Sequence, residues 1–318
     1  MEWYYIVLII IGAIILLLFS LDFLIAYYLT KFMLEPYCRS LEDVLEKEFN
    51  LNKMNKDEYE NYYVPEEFNV MSKYGYNLKA FYIPKKKDIH FKDEKERVVI
   101  LCHGWTVRHE TMYAYAKAYL ELGFHVFTYD HRNHGMSDKK ITTMGDKEAD
   151  DLQTIVEFVY EKMGANIVLG TQGESMGAAT VMIHAGRYHS VDFVSEDCGF
   201  HNLKDLLSYL CKYDKKMPIW PTLMFANLIM KLKTGSSFNS CSPIQMISSC
   251  DDIPMHFAHG DKDDFVPSYM VYKCFDAKPG FKMIHVYRDS IHARSIVNHK
   301  KQYHKDIQEF LLKSNIID

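Results

Sequence analysis

Between residues 97 and 197 the chain repeats one pattern, a short apolar β-branched run followed by a stretch with helical spacing. The runs are "RVVILC" (97–102), "HVFTYD" (125–130), "NIVLGT" (166–171) and "VDFVSED" (191–197). Between them lie a helical stretch over 112–122, another carrying Leu152, Ile155, Val156 and Val159 on one face, and a third over 175–188. Runs this short and this apolar are strands buried on both faces, and helices between them are the crossovers that a parallel sheet requires. The pattern therefore predicts an α/β fold, a mainly parallel sheet with helices on both faces. Ahead of it, residues 68–72 and 78–84 flank "KYGYN" and predict an antiparallel hairpin. The alternation stops over 199–250, where helical patterns occur without a convincing strand, so this stretch is read as a small helical cap. It resumes with strands at 255–260 and 282–287 and a last helix near 299–312.

The N-terminus obeys a different rule. "WYYIVLIIIGAIILLLFSL" (3–21) carries no charge and is long enough to cross a bilayer as one helix. Trp3, Tyr4 and Tyr5 at one end, and Tyr27 and Tyr28 at the other, suit the two interfacial belts. A cleaved signal peptide would need a basic start and a small-residue cleavage site, and neither is present. The expectation is a retained anchor over 1–30, a connector with a short helix over 31–63, and an α/β domain over 64–318. Lys31, Arg39 and Lys47 follow the span, which favours a cytoplasmic domain. Ser40 reads as the cap of the connector helix, and residues 50–63 read as a tether.

Composition removes some alternatives. The net charge of −5 and the absence of a basic stretch argue against a nucleic-acid partner. The seven cysteines show no CxxC spacing and read as buried free thiols, which fits a reducing compartment.

Four segments carry chemistry. "GESMG" (173–177) lies between an apolar run and an Ala-rich helical stretch, the setting of a serine on a sharp strand-to-helix turn. Gly173 and Gly177 remove side chains that would strike neighbouring backbone. Ser175 would be the nucleophile, and the Met176 N–H would face a developing oxyanion. "CHGWTVRHE" (102–110) follows the first parallel run: His103 would hold the loop, Gly104 would let it turn, and Trp105 N–H would be the second oxyanion donor. "HGDKDDFVP" (259–267) follows a later run and offers Asp261, Asp263 and Asp264 as the orienting acid. "DSIHARS" (289–295) follows the next run and offers His292 as the base. The order Ser, Asp, His is the one this kind of sheet uses.

Together these segments resemble the α/β-hydrolases, and more narrowly the membrane-anchored bacterial Bem46-like and S33/S9 peptidase-like group. The resemblance spans residue 68 to the C-terminus. It implies that Asp263 is the acid and His292 the base, with Asp261 and Asp264 uninvolved. "DHRNHGMSD" (130–138) matches a structural segment in which Asn133 stands where the family usually has Gly. Asp130, His131 and His134 in that segment are not read as a metal site, and no cofactor is implied. Glu174 is read as a buried hydrogen-bonded residue, and Asp197 as a weaker candidate acid. "KKMPIWPTLMFANLIMKLK" (215–233) is either ordinary helix core or a cap face lining an acyl pocket. The expected activity is hydrolysis of a carboxylic ester with a lipophilic acyl group, the partners being a small acyl substrate and the bilayer. Peptide or amide hydrolysis is the alternative chemistry, and a catalytically silent, membrane-tethered interaction module is the alternative of another class.

Overall fold

The computed structural model describes residues 2–318. The elements run α1 (Trp3–Leu34), α2 (Leu41–Asn50), β1 (Glu66–Met71), β2 (Asn77–Ile83), β3 (Glu96–Cys102), α3 (Tyr113–Glu121), β4 (His125–Tyr129), α4 (Asp146–Met163) and β5 (Ile167–Glu174). They continue α5 (Met176–Tyr188), β6 (Phe193–Asp197), α6 (Leu203–Tyr209), α7 (Thr222–Thr234), α8 (Pro243–Ile247), β7 (Met255–Gly260), α9 (Tyr269–Ala277), β8 (Lys282–Tyr287), α10 (Ser295–Asn298) and α11 (Lys300–Lys313). The eight strands form one sheet in the order β1-β2-β4-β3-β5-β6-β7-β8. The first two pairings, β1 with β2 and β2 with β4, are antiparallel, and all later neighbours run parallel.

The strand period of two sorts the core. Val98, Ile100 and Cys102 face α4, α5 and α9, whereas Val99 and Leu101 face α3 and α11. Helices thus cover both faces, as a parallel sheet demands. Because every parallel strand points the same way, β3, β5, β7 and β8 all end on one edge, and the loops leaving that edge build the site.

Residues 199–250 hold α6, a π-helical turn at Leu210–Asp214, α7 and α8, with no strand among them. Residues 200–241, with α6 and α7, share a third apolar cluster with α1, whereas Ile247 of α8 packs with α4 and α5.

Two stretches pack more tightly than their sequences suggest. Helix α1 continues to Leu34, and while residues 3–21 lie on the surface, Ala26, Thr30, Met33 and Leu34 are buried. The carbonyls at its end find partners in the domain: Trp105 Nε1 donates to Met33 O at 3.2 Å, and Thr142 N and Oγ1 donate to Leu34 O at 2.9 Å each. The last four carbonyls of a helix have no partner within it, so these contacts fix where α1 ends. Residues 50–63 are not a free tether either. Ser40 caps α2 by accepting from Asp43 N at 3.1 Å, and the chain then buries Lys53, Met54 and Tyr63 against the domain. The ring of Tyr63 stacks on Tyr113 with centroids 4.7 Å apart.

Candidate active site

Ser175 occupies the junction between β5 and α5 with φ 58° and ψ −113°. A side-chain-bearing residue at positive φ is strained, and the turn around it explains how the strain is held. A Cβ on Gly173 would stand 2.2 Å from Gly177 O, and one on Gly177 would stand 2.0 Å from Cys102 O. Both glycines are therefore required by backbone contact, and the turn cannot relax. Ser175 N donates to Asp197 O at 2.9 Å, which ties the turn to β6.

Three side chains from separate strand ends meet here. His292 Nε2 lies 2.9 Å from Ser175 Oγ, and His292 Nδ1 lies 2.7 Å from Asp263 Oδ2. The other carboxylate oxygen of Asp263 accepts from the backbone N–H groups of Phe265 at 3.0 Å and Val266 at 2.8 Å. Burial pushes the Asp263 carboxyl up, but hydrogen bonds from His259 and His292 more than offset this and hold it at about 2. Asp263 is thus an anion near neutral pH and an acceptor only, so His292 Nδ1 is the donor in their contact. Asp261 is turned away, its Oδ1 accepting from Asp289 N at 2.7 Å. Asp197 accepts from Tyr115 Oη at 2.9 Å, the same hydroxyl that reaches Glu174 at 3.0 Å.

His259 is a participant that motif reading overlooked. It is buried, its Nε2 lies 3.3 Å from Asp263 Oδ2, and it donates to Val266 O at 2.7 Å. Burial pushes its imidazole down and Asp263 lifts it more strongly, for a net rise. Its signal was present in the sequence, since His259 opens the "HGDKDDFVP" loop.

The oxyanion candidates border the same space. Met176 is the first residue of α5, so its N–H has no partner inside the helix. The loop after β3 presses on the turn, because a Cβ on Gly104 would be 3.5 Å from Ser175 Cβ. Trp105 lies in that loop and lines one cavity with Ser175 and Met176. His103 holds the loop: it accepts from His131 N at 2.9 Å through Nε2, and its Nδ1 lies 2.7 Å from Gly104 O. Burial, with His134 beside it, pushes His103 down to about 3, so the ring is neutral. Asp130 uses one oxygen outside the segment, on His109 N at 2.9 Å, and the other within it, on Met136 N at 2.8 Å. Asn133 takes φ 67°, a left-handed conformation that Asn tolerates and that explains a glycine preference there.

Glu174, next to the serine, is buried and accepts from Tyr115 Oη at 3.0 Å. Lys53 from the connector also reaches it, 3.7 Å away and buried itself. Burial alone would push the Lys53 ammonium down, but Glu174 and Glu48 keep it charged. The connector thereby braces the residue before Ser175.

The cavity above Ser175 has a volume of about 350 Å³ and an almost wholly apolar wall. Phe200, Leu206, Leu223 and Phe238 line it from the cap side, and Leu29 and Met33 line it from α1.

The hydrolase family described as serine aminopeptidase, S33, matches residues 93–195, from the start of β3 through the serine turn. An uncharacterized protein of Bacillus subtilis, YqkD, is 32% identical over 250 residues, covering 78% of this chain and 79% of its own. Among solved structures, the Pyrococcus furiosus esterase Pf2001 superposes with a TM-score of 0.65 at 21% identity, over 88% of this chain and 97% of that one. Est1E from Butyrivibrio proteoclasticus, solved with ferulic acid bound, gives 0.61 at 17% identity, over 78% and 99%. The Pyrococcus horikoshii acylaminoacyl peptidase gives 0.59 at 15% identity, over 79% of this chain and 41% of that one. At such identities the structures speak to the fold, and the B. subtilis relative and the family match speak to descent. The chain belongs to the α/β-hydrolase superfamily, as a serine hydrolase of that fold.

Proposed function

We propose that the protein hydrolyses carboxylic esters with lipophilic acyl groups, at Ser175, while anchored to a membrane through α1. The observation that carries this reading is the apolar cavity of about 350 Å³ with Ser175 in its wall. A cavity of this kind accepts a hydrocarbon chain and offers little to a charged peptide terminus.

The chemistry follows from the contacts. As Ser175 Oγ attacks the acyl carbonyl carbon, its proton passes to His292 Nε2, 2.9 Å away. Asp263 accepts from His292 Nδ1 at 2.7 Å, fixing the tautomer and offsetting the charge the ring acquires. The N–H groups of Met176 and Trp105 hold the oxyanion. The C–O bond to the alcohol then breaks, and His292 returns the proton to the departing oxygen. Water attacks the acyl-enzyme with His292 Nε2 taking its proton, the bond from the acyl carbon to Ser175 Oγ breaks, His292 returns the proton to Ser175 Oγ, and the carboxylic acid leaves. Every step uses groups of the chain itself and water.

Retention of α1 as an anchor is supported by its two ends. Residues 3–21 are exposed and uncharged, unlike a helix from a soluble core. Ala26, Met33 and Leu34 complete the apolar cluster of the cap, which supports a helix kept in the mature protein. Lys31, Arg39 and Lys47 after the span favour a cytoplasmic domain. The intact mass of the purified protein checks retention, because processing would remove the run.

The activity is tested with p-nitrophenyl esters of increasing acyl length beside aminoacyl anilides. The expected result is kcat/KM rising with chain length and little anilide cleavage. Preference for anilides would overturn the ester assignment, and preference for acetate over every longer chain would overturn the lipophilic acyl group.

A further inference from the structure

Ser175 is only 9% exposed, and the surface around the cavity shows where a substrate would reach it. Helices α1 and α7 lie side by side and run in the same direction. Phe19 meets Trp220 edge-on with centroids 5.8 Å apart, Asp22 Oδ1 accepts from Thr222 Oγ1 at 2.6 Å, and Phe23 meets Phe225 at 5.4 Å. At the other end Lys233 Nζ lies 3.0 Å from Glu35 Oε1. Phe19 belongs to the uncharged run, so the Trp220 ring packed on it reaches the bilayer wherever Phe19 does.

The outward face of α7 continues that surface. Met224, Leu228 and Leu232 on α7 recur every fourth residue and are 49%, 49% and 77% exposed, and Trp220 in the turn before the helix is 67% exposed. Such a stripe on a water-facing helix is a liability, and it is continuous here with the exposed apolar side of α1. Lys212, Lys215 and Lys216 precede Trp220 and suit lipid headgroups, as Trp suits the interface.

The cavity leads to the same place. Its wall follows one side of α6 and the turn after it, from Leu203 to Asp214 and Lys215, just before the Trp220 segment. The facing wall is α1 itself, through Leu29, Thr30, Phe32 and Met33. Helix α1 is therefore part of the substrate cavity as well as a tether.

We propose that α1 and the cap form a side entrance seated on the bilayer, through which a membrane-dissolved ester slides its acyl chain directly onto Ser175. The inference rests on the ester-hydrolase reading and adds to it the substrate's source, the lipid phase, and the occupant of the α7 face, the bilayer. It requires the enzyme to act on esters in its own membrane.

The test uses the full-length protein in phosphatidylcholine vesicles, with 4-methylumbelliferyl oleate in the same vesicles or in separate ones. Much faster hydrolysis in the shared vesicles is expected. Equal initial rates in the two arrangements would overturn the proposal, and so would hydrolysis of p-nitrophenyl acetate with none of the oleate. The double variant Trp220→Glu, Met224→Glu changes exposed residues outside the cavity wall. It is expected to slow the shared-vesicle reaction about tenfold, equivalent to about 1.4 kcal/mol, with acetate turnover unchanged. An unchanged oleate rate in that variant would count against the entrance. The wild-type comparison stands without any variant, so a poorly folded variant does not decide the matter. If wild-type Ser175 also fails to react with a soluble fluorophosphonate, the hydrolase reading falls and the entrance with it. If Ser175 reacts and the shared-vesicle advantage is missing, only the entrance falls.

Discussion

Ser175, Asp263 and His292 each sit within a few residues of a strand end, while the cavity over them is walled by α1, α6 and α7, which are far apart in the chain. At the strand ends, geometry is set by backbone contact, as at Gly173 and Gly177, where any side chain would meet main-chain atoms. In the cavity wall, geometry is set by apolar packing among helices, as where Phe23 meets Phe225. The first kind of site tolerates almost no change of residue type. The second tolerates many changes that conserve volume and apolar character. On the proposed reading, chemistry and substrate choice are carried by parts of the molecule with different tolerances, and variants separate the two.

The largest expected effect is at the strand ends. Ser175→Ala is expected to lower kcat by up to about 10⁶-fold, read by ester turnover, with an unchanged thermal transition. Asp263→Asn is expected to cost about 10⁴-fold, because an amide no longer holds His292 in the donating tautomer. A loss of less than about tenfold in kcat/KM at Asp263 would reassign the acid, with Asp197 the next carboxylate to test.

The two halves of α1 provide a comparison within one helix. Leu34 is fully buried and Leu16 is 69% exposed. In detergent, Leu34→Ala is expected to cost about 3 kcal/mol of stability. Leu16→Ala is expected to stay within about 0.5 kcal/mol. Denaturant unfolding of the two variants checks this, and equal losses would mean that the end of α1 does not belong to the core.

The last effect is spread over pH and concerns a buried carboxyl on β6. Burial raises Glu196 to about 8, and its Oε1 finds no partner among the described residues. Between about pH 4.5 and 8 the unfolded chain has lost a proton that the folded chain keeps. The unfolded state therefore binds fewer protons, and stability falls as pH rises through that window, by at most about 1.4 kcal/mol per unit. Glu196→Gln removes this term. Its stability relative to the wild type should climb from pH 5 to pH 8 and level off above, as thermal melts across that range would read.

The strand ends were legible in the sequence because their determinants are local. "MHFAHG" and "KMIHVY" coincide with β7 and β8 residue for residue, and the serine turn announces itself through two glycines at fixed offsets. Asn133 at φ 67° also had a local explanation. The packing of α1 was less legible, since nothing in "YYLTKFML" says that Thr30 and Leu34 will be buried while Tyr28 and Phe32 stay exposed. That division depends on where α7 and Thr142 stand. Lys53 reads as one polar residue of a tether, and its burial depends on Glu48 and on the distant Glu174. His259 was hidden for another reason: it belongs to a motif already explained by its glycine and aspartate, and its contact with Asp263 emerges only when the loop closes.

The central claim is that Ser175 is an activated nucleophile, and fluorophosphonate labelling of the full-length protein tests it most directly, read by intact mass and peptide mapping with Ser175→Ala beside the wild type. One adduct per chain on Ser175, and none in the variant, is the predicted result. A folded wild type that takes up no label would contradict the account and favour a silent, membrane-tethered interaction module on this fold, and a label elsewhere would contradict it by placing the nucleophile at another residue.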